Sequence, residues 1–380
     1  MLLGWTLLMV VVALGYALPI TAFGIGLRRV IRTPRPVAST TPTVSVLIPA
    51  RDEVASIGAC VRSILDGDYP HEALEVLVID DQSTDGTADI VREVAASYPT
   101  ARVDVLRVPA GPSDLPRKKA ALELGVAHAT GEIILTTDAD CNAPPGWVRR
   151  MASMFTPEVG FVAGPVRYAP DGSAFERMQA LEFLGLVGIG LGALGLKRPT
   201  ISNAANVAYR RQAFLDLGGY RDLHHIGPGD DHLLMHKFAY ESEWQVRACP
   251  FPEATVVTAP APDLPTFIHQ RRRWASVTIH YTQVGLIVVC VLFYLFFLSL
   301  ILGLVALPFI PALGPGLLAG WGLKLAAEWS LLSVACKHFG QRRLLWYFLP
   351  AQLPHVPYIL LVTALGILRG YTWKSRCVGQ

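Results

Sequence analysis

Long stretches without a charged side chain constrain this chain more than any other feature. Residues 1–27, 281–323 and 344–368 contain no Asp, Glu, Lys or Arg. A helix needs about 20 apolar residues to cross the hydrocarbon core of a bilayer. Prolines and glycines between 308 and 316 divide the second stretch in two. The sequence therefore predicts a transmembrane helix at 1–27 and a membrane domain of about three hydrophobic segments at 281–368.

The segment between these stretches has the composition of a globular domain. Over the whole chain 52% of residues are hydrophobic and 17% are charged, but most of the charge lies between residues 28 and 280. About 250 residues can bury a substantial core. The net charge of +3 is too small to indicate nucleic-acid binding. The six cysteines form no Cys-x-x-Cys pair, so we expect neither a disulfide framework nor a zinc site.

Positive side chains flank the apolar stretches next to the globular segment. Arg28, Arg29, Arg32 and Arg35 follow the first stretch, and residues 271–273, all arginine, precede the second. Cytoplasmic loops carry an excess of Lys and Arg. We therefore expect a multi-pass protein of the plasma or inner membrane whose globular domain is cytoplasmic.

The C-terminal region does not follow the same rule. After four membrane spans, Arg369, Lys374 and Arg376 in the tail, 369–380, would lie on the outer side. Prolines at 350, 354 and 357 offer an alternative, in which the last apolar stretch is re-entrant or interfacial.

Strand-like and helix-like patterns alternate in the first half of the globular segment. Apolar, β-branched runs predict strands at 43–50, 74–80, 101–108 and 132–137, and the segments between them predict helices at 54–65, 86–97 and 117–129. This alternation implies an α/β fold with a mostly parallel sheet and right-handed crossovers. Ligands of such sheets bind beyond the carboxyl ends of the strands.

Acidic residues follow three of the predicted strands, so their side chains converge on one edge of the sheet. They are Asp52 and Glu53, Asp80 and Asp81, and Asp138 and Asp140. Mg²⁺ and Mn²⁺ prefer oxygen ligands and commonly link one or two carboxylates to substrate phosphates. Asp138 and Asp140 are therefore candidate metal ligands, with a solvated helix-capping turn as the alternative. The first turn, "PARDE", has none of the glycines of a dinucleotide-binding loop.

Two further pairs of charged residues have both a functional and a structural interpretation. Lys118 and Lys119 stand at a helix start, where the helix dipole disfavours cations, so they are either phosphate-binding or a solvated surface pair. Asp230 and Asp231 precede another helix, where one aspartate can serve as the cap. Adjacent carboxylates repel, which should raise the proton affinity of one of them and suit it to act as a general base.

The motifs taken together resemble those of the family 2 glycosyltransferases. "VSVLIPARDE", "VIDDQSTDGT", "TTDADC", "GDDHLL" and "QRRRW" occur in the order and rough spacing of the membrane-embedded branch, which includes cellulose synthase, poly-N-acetylglucosamine synthase and ceramide glucosyltransferase. The resemblance covers about residues 40–280. It implies a cytosolic GT-A domain at 40–265, followed by an interfacial helix at 266–280 that carries the family's Gln-x-x-Arg-Trp motif.

The resemblance also implies roles for individual residues. Pro49, Arg51, Glu53 and Asp81 would line the nucleotide base and ribose, and Lys118 would lie near the uridine or the diphosphate. Asp138 would contact the nucleotide, and Asp140 would bind the Mg²⁺ or Mn²⁺. Asp231 would be the general base, oriented by Asp230.

In the Gln-x-x-Arg-Trp motif the matching residues are Gln270, Arg273 and Trp274. Arg273 would meet the donor diphosphate and Trp274 would border the acceptor channel. Arg271 and Arg272 would remain as the positive flank of the membrane helix. Two departures from the family pattern are Asp52, where many members have Asn, and Gly229-Asp230-Asp231 in place of the Thr-Glu-Asp of cellulose synthases, which argues against a cellulose-type product.

Two apolar regions bear on the acceptor. Residues 175–195 could be a core helix or an interfacial segment that admits an acceptor from the bilayer. Lys324 and Glu328 are four residues apart, and a structural ion pair is a better interpretation than a role in translocation.

The sequence therefore predicts an inverting glycosyltransferase that uses a nucleotide sugar, UDP-linked, and a lipid-linked or saccharide acceptor at the membrane. A processive polysaccharide synthase of the same family is the alternative within this class. A nucleotidyltransferase would need a glycine-rich loop after the first strand. A non-catalytic membrane subunit would not need the carboxylates of Asp138, Asp140 and Asp231.

Overall fold

The chain folds into two compact units. The computed structural model describes residues 2–34, 41–111, 116–169, 172–223, 226–227, 229–368, 371–373 and 376–378. The sheet unit comprises Arg29–Ala169 and Ala193–Ala259, and the helical unit comprises Met1–Arg28, Pro170–Gly192 and Pro260–Gln380. Arg35 of the predicted positive flank and most of the predicted tail, 369–380, lie outside the described residues.

The sheet unit is built on a seven-stranded sheet with the strand order β3-β2-β1-β4-β7-β5-β8. Its strands are β1 (Val44–Ala50), β2 (Leu74–Asp80), β3 (Arg102–Arg107), β4 (Ile133–Thr136), β5 (Val159–Ala163), β7 (Val207–Arg210) and β8 (Gln245–Ala248). The first four strands are parallel, and β7 runs antiparallel to both of its neighbours. Short strands β6 (Val166–Tyr168) and β9 (Val256–Thr258) pair separately.

Helices cover this sheet and connect its strands. They are α2 (Ile57–Leu65), α3 (Thr87–Ala96), α4 (Arg117–His128), α5 (Trp147–Ala152), α7 (Arg211–Asp216) and α8 (His232–Tyr240). All residues of β2 and β4, and nearly all of β1, are buried, which explains why the sequence shows continuous apolar runs instead of alternation. Because β1 lies between β2 and β4, the carboxyl ends of these three strands share one edge of the sheet.

The helical unit contains the apolar stretches. Its main helices are α1 (Leu2–Arg32), α6 (Ala174–Gly195), α9 (Leu264–Ala275), α10 (Val284–Ala306), α11 (Gly314–His338) and α12 (Phe348–Leu368), followed by the short strands β10 (Tyr371–Trp373) and β11 (Arg376–Val378). Among the described residues, four helical segments are long and apolar enough to cross a membrane: 4–32, 174–195, 284–306 and 342–367.

Helix α6 changes the predicted domain boundaries. Its 22 residues form one continuous helix with the length and composition of a membrane span. The structure groups Pro170–Gly192 with the helical unit, although these residues lie inside the range 40–265 predicted for a single domain. The reason is that the charged residues of α6, Glu176, Arg177 and Glu182, all lie in its first nine residues, so most of its surface can be buried against other apolar helices.

The C-terminal apolar stretch forms an unbroken helix. Helix α12 contains Pro354 and Pro357 within its length, so these prolines do not produce the re-entrant break considered as an alternative. In α11, Lys324 Nζ lies 2.8 Å from Glu328 Oε1, and the ion pair predicted from their spacing is confirmed.

Candidate functional site

Charged side chains meet where β1 and β2 end. Arg51 directly follows β1, and its Nη1 donates a hydrogen bond to the backbone oxygen of Asp81 at 3.0 Å. The same nitrogen lies 3.5 Å from Asp81 Oδ2. Arg117, the first residue of α4, approaches Asp81 Oδ1 at 3.7 Å. The structure thus places Arg51 and Asp81, both predicted to line the nucleotide, against each other.

The loop after β1 contains the remaining residues predicted to line the nucleotide. Pro49 lies within β1, and the carboxylate of Glu53 accepts a hydrogen bond from the Ser56 hydroxyl at 2.9 Å. Asp52 adopts a φ of +50°, a conformation that Asn and Asp tolerate better than other non-glycine residues. Its carboxylate accepts the N–H of Thr84 at 2.9 Å, which joins the loops after β1 and β2.

Lys118 connects two acidic segments that are distant in the sequence. Its Nζ lies 2.8 Å from Asp138 Oδ1 and 3.2 Å from Asp230 Oδ2. Burial alone would lower the pKa of Lys118, but the two carboxylates raise that pKa above its ordinary value. Lys118 is therefore positively charged and holds the Asp-x-Asp segment beside the Asp-Asp segment.

The alternative interpretation of Lys118 and Lys119 as a solvated surface pair is wrong. The Lys119 side chain is fully buried, and its Nζ donates to the backbone oxygens of Leu223 at 3.1 Å and Ile226 at 2.5 Å. Burial lowers the pKa of Lys119 to about 8. The two carbonyl groups lie 104 and 107 residues further along the chain, so the local sequence around Lys119 does not reveal them.

Asp138 and Asp140 follow β4 at the same edge of the sheet. Burial raises the pKa of Asp140, and the carboxylates of Asp138 and Glu53 raise it further. This shift shows a concentration of negative charge that a divalent cation would offset. In the described part of the chain, no three His, Cys, Asp or Glu side chains are grouped to hold a metal ion. The site fits Mg²⁺ or Mn²⁺ shared between one or two carboxylates and substrate phosphates.

Asp231 caps α8 and is held at both carboxylate oxygens. Its Oδ1 accepts hydrogen bonds from the backbone N–H of His232 at 2.7 Å and from His232 Nδ1 at 2.8 Å. Its Oδ2 accepts the N–H of Ala204 at 3.0 Å. The Asp230 carboxylate pairs with Lys118. Its role in orienting Asp231 stays a prediction.

The expected rise in proton affinity is wrong for Asp231. Burial alone would raise the pKa of Asp231, but the imidazole of His232, its hydrogen bonds and the charge of Lys118 hold the pKa well below its usual range. These interactions outweigh the effect of burial. Asp231 is deprotonated at physiological pH.

The predicted Gln-x-x-Arg-Trp residues lie on α9 in the helical unit. Gln270 Oε1 accepts a hydrogen bond from Arg271 Nη1 at 2.5 Å. The Trp274 ring packs on Phe183 of α6, with 5.7 Å between the ring centroids. The guanidinium of Arg273 forms no hydrogen bond or ion pair with another residue in the described part of the chain.

The interpretation of Arg271 as only a positively charged flank of the membrane helix is wrong. Its side chain is buried, and its Nη2 lies 2.5 Å from Glu182 Oε2 on α6. The guanidinium also lies 4.3 Å from the centroid of the Trp274 ring. This pairing could not be predicted from local sequence patterns, because Glu182 lies 89 residues before Arg271.

Sequence reasoning also missed His232 as a partner of Asp231. The signal was present, since a histidine directly after a candidate base can bond to its carboxylate, and this contact lies within one helical turn. Arg117 was missed for a different reason: its contact with Asp81 depends on how α4 packs against the sheet.

The sheet and its acidic edge define a nucleotide-sugar transferase fold. In its fold the chain is similar to a solved mannosyltransferase, PcManGT from Pyrobaculum calidifontis in complex with GDP-Man and Mn²⁺, with a TM-score of 0.58. The two chains are 22% identical, and the match covers 96% of each. The predicted GT-A fold with apolar helices at both ends is therefore confirmed.

Family profiles identify the class more closely. "Glycosyl transferase family 2" matches residues 45–218, and "Glycosyl transferase family group 2" matches residues 133–368, which is more than half of the chain. The chain belongs to the family 2 glycosyltransferases.

Several curated relatives have more specific names. The chain is 32% identical over 246 residues to a β-monoglucosyldiacylglycerol synthase of Synechocystis, with 62% of this chain and 47% of the relative covered. It is 28% identical over 197 residues to the glycosyltransferase AglE of Haloferax volcanii, with 51% and 60% covered. It is 27% identical over 213 residues to a poly-β-1,6-N-acetyl-D-glucosamine synthase of Staphylococcus epidermidis, with 54% and 48% covered. The match thus spans about half the length of these relatives.

Proposed function

We propose that this protein is an inverting glycosyltransferase that moves a sugar from a UDP-linked donor to a hydroxyl group of a lipid-linked acceptor at the cytosolic membrane face. One observation carries the proposal. Lys118 joins the Asp-x-Asp segment to the Asp-Asp segment, so candidate metal ligands and a candidate general base share one edge of the sheet. A glycosyl transfer needs both functions at one place.

On the donor side, Arg51 and Asp81 would bind the nucleotide, together with Pro49 and Glu53. Asp138 and Asp140 would hold a Mg²⁺ or Mn²⁺ ion, which when bound supplies positive charge next to the donor diphosphate. Arg273 would bind the same diphosphate.

On the acceptor side, Asp231 would accept the proton of the attacking hydroxyl group. The hydroxyl oxygen forms a bond to the anomeric carbon while the bond from that carbon to the nucleotide diphosphate breaks, and the diphosphate leaves with the electron pair. Attack from the opposite face inverts the anomeric configuration. Because its pKa is low, Asp231 is deprotonated throughout the physiological pH range and can accept a proton, but a carboxylate of low pKa is a weak base.

The relatives support a lipid acceptor. The Synechocystis relative is named for a glucosyldiacylglycerol product, and four helical segments of this chain have the length and composition of membrane spans. Processive synthesis of a polysaccharide is the second candidate, and the Staphylococcus epidermidis relative favours it. The size distribution of the product would distinguish single transfer from processive transfer.

The experiment that tests this function uses the purified full-length protein in lipid nanodiscs, offered radiolabelled UDP-sugars and GDP-sugars with membrane lipid extract. We expect transfer from a UDP-sugar, with the released nucleotide and the glycosylated product formed in equal amounts. The anomeric configuration of the product, determined by NMR, should be inverted. If no donor is consumed by folded protein, the proposed function is wrong.

The role of the metal can be tested with the same preparation. EDTA should abolish transfer, and Mn²⁺ or Mg²⁺ should restore it. Asp140→Ala should weaken Mn²⁺ binding, measured by electron paramagnetic resonance with UDP present, and should lower turnover by at least ~10²-fold. Asp89→Asn, on the exposed surface of α3, serves as the control and should change neither quantity. Full turnover in EDTA would contradict the metal assignment.

The cytosolic orientation can be tested by labelling introduced cysteines in intact cells with a membrane-impermeant reagent. Glu243 is exposed in the sheet unit, and Phe309 is exposed in the turn between α10 and α11. The positive-inside rule predicts labelling at Phe309→Cys and protection at Glu243→Cys until the cells are opened. The reverse pattern would contradict the orientation.

A further inference from the structure

Tyr220 of the sheet unit reaches the backbone directly before the candidate base. Its side chain is buried, and its ring packs edge-on against Phe214 with 5.3 Å between the centroids. Its hydroxyl donates a hydrogen bond to the backbone oxygen of Asp230 at 3.0 Å. Burial raises the pKa of Tyr220 well above its ordinary value, so the hydroxyl stays protonated and can donate this bond. A core tyrosine therefore contacts the segment that carries Asp231.

The oxygen that Tyr220 contacts belongs to the peptide group between Asp230 and Asp231. A peptide group is planar, so a bond to its oxygen also fixes the direction of the Asp231 N–H and limits the movement of the Asp231 Cα atom. Gly229 precedes this pair with a φ of +83°, and glycine gives the backbone more freedom than any other residue. The Tyr220 bond thus restrains the main chain next to its most flexible type of residue.

The carboxylate of Asp231 is held by other groups. His232 and the N–H of Ala204 bond to its two oxygens, whereas Tyr220 restrains the main chain behind them. A general base must lie within about 2.6–3.2 Å of the atom whose proton it accepts. A small shift of the Asp230–Asp231 peptide group would therefore change the distance on which catalysis depends.

Two helices fix Tyr220 in turn. Its N–H donates to Glu123 Oε1 on α4 at 2.8 Å, and the carbonyl of Gly219 accepts a hydrogen bond from Lys237 Nζ on α8 at 3.0 Å. Gly218 and Gly219 adopt φ values of +76° and +59°, which lie in the left-handed region that favours glycine. The turn before Tyr220 is therefore specific, and the residue is held on both sides of its backbone nitrogen.

Packing alone does not explain the hydroxyl group of Tyr220. Phenylalanine would fill the same space, and a buried hydroxyl costs free energy unless it forms a hydrogen bond. We propose that Tyr220 is a positioning residue, which holds the Asp230–Asp231 peptide group so that the carboxylate of Asp231 meets the acceptor hydroxyl. The inference rests on the proposed function, in which Asp231 is the general base. Tyr220 itself touches neither substrate and acts through Asp231.

The test removes one oxygen atom from the full-length protein in lipid nanodiscs. Tyr220→Phe keeps the ring and deletes the bond to Asp230. Tyr69→Phe is the matched control, because Tyr69 is also buried and its hydroxyl donates to the backbone oxygen of Pro42 at 2.6 Å. Pro42 lies just before the amino end of β1, so this bond is at the opposite edge of the sheet from the acidic residues.

Both variants are assayed with membrane lipid extract and the UDP-sugar that the wild-type protein uses. The kcat of Tyr220→Phe should fall at least ~10-fold, since a misplacement of 1 Å can cost about 10²-fold in rate. The Kd for UDP should stay at the wild-type value, because the base serves the acceptor. Tyr69→Phe should keep both values, and chemical unfolding should show every variant folded under the assay conditions.

A double substitution separates positioning from a general loss of stability. Adding Tyr220→Phe to Asp231→Asn should cause no further fall in kcat, because a residue that acts only through Asp231 then has no base to position. A further fall of ~10-fold would show that Tyr220 affects turnover by another route and would overturn the proposal.

A second pair of variants applies if the double variant does not fold or is too slow to measure. Glu123→Gln keeps an oxygen that can accept the Tyr220 N–H, and Glu123→Leu does not. Glu123→Gln should keep the wild-type kcat, whereas Glu123→Leu should lower kcat without changing the Kd for UDP. Equal kcat values in these two variants would contradict the proposal.

Failure of this inference is distinguishable from failure of the proposed function. An unchanged kcat in folded Tyr220→Phe, or an equal fall in Tyr69→Phe, would overturn the positioning role and leave the transferase intact. Near-normal turnover by Asp231→Asn would remove both the base and its positioning residue. Absence of nucleotide release and of transfer by the folded wild-type protein would instead refute the proposed function.

Discussion

Each unit of the molecule places a lysine beside carboxylates, but the balance of charge differs between them. In the sheet unit Lys118 faces two carboxylates, Asp138 and Asp230. In the helical unit Lys324 pairs with one carboxylate, Glu328, and its other close partners are Gln352 and His355.

The site in the sheet unit needs a charged ligand to balance its carboxylates, whereas the carboxylates in the helical unit already have cationic partners. At the acidic edge of the sheet, burial raises the pKa of Asp140, and the neighbouring carboxylates of Asp138 and Glu53 raise it further. A cation together with a diphosphate could satisfy such a site. In the helical unit the carboxylates of Glu182 and Glu328 each have one cationic partner, Arg271 and Lys324 respectively.

The largest effect is expected from Asp231→Asn, which removes the candidate base from the sheet unit and keeps its shape. Asn caps helices nearly as well as Asp. Its single side-chain oxygen cannot replace both carboxylate oxygens, so we expect a loss of about 1–3 kcal/mol in the free energy of unfolding and little change in UDP binding. Turnover should fall by about 10²–10⁴-fold, because general-base assistance has that magnitude. Steady-state kinetics together with UDP titration would measure both. Near-normal turnover in a folded variant would assign the base elsewhere.

The second prediction concerns the balanced pair of the helical unit. Lys324→Met leaves Glu328 buried without its cation and should lower the free energy of unfolding by about 3–5 kcal/mol. The double substitution Lys324→Met with Glu328→Leu should recover most of that loss. Lys337→Met, at an exposed position of α11, is the control. Unfolding in detergent would measure these differences, and a single variant as stable as the double one would contradict the balance of charge.

A third, smaller effect should appear in the sheet unit on acidification. Burial lowers the pKa of His236 from 6.5 to about 4, and its Nε2 bonds to the Thr200 carbonyl at 3.0 Å. The unfolded chain binds this proton below about pH 6.5 and the folded chain does not until about pH 4, so stability falls as the pH drops through this window. At pH 5 the loss from this group is about 2 kcal/mol.

His236→Gln tests the third prediction, because glutamine can donate the same hydrogen bond without titrating. The loss of stability between pH 7.5 and pH 5 should be smaller in this variant than in the wild type, as measured by chemical unfolding at each pH. Equal losses in the two proteins would show that His236 does not contribute.

The smallest effect is expected from Asp52→Asn. Asn tolerates the φ of +50°, and its side-chain oxygen can still accept the Thr84 N–H. The free energy of unfolding should therefore stay within about 0.5 kcal/mol of the wild-type value, and turnover should be unchanged. Asp52→Val should lose about 1–2 kcal/mol, because a β-branched side chain is strained in this conformation. A large loss of turnover in Asp52→Asn would show that the negative charge at this position matters for donor binding.

The local pattern of the sequence was enough to predict the frame of the fold. The runs at 43–50, 74–80 and 132–137 became β1, β2 and β4 within a residue or two, because a strand buried on both faces must be apolar throughout. The acidic edge followed from the same pattern, since parallel strands bring their carboxyl ends together. The i,i+4 spacing of Lys324 and Glu328 likewise predicted their ion pair.

What the sequence by itself determined about this protein was therefore set by interactions of short range: strand and helix periodicity, apolar length and spacing along a helix. Tertiary structure alone decided that Lys119 is buried under backbone carbonyls more than 100 residues away and that Arg271 pairs with Glu182 across 89 residues. It also decided the place of α6 in the helical unit. The physical reason is that the burial and partner of a charged side chain depend on contacts between distant segments, and these leave no local periodicity in the chain.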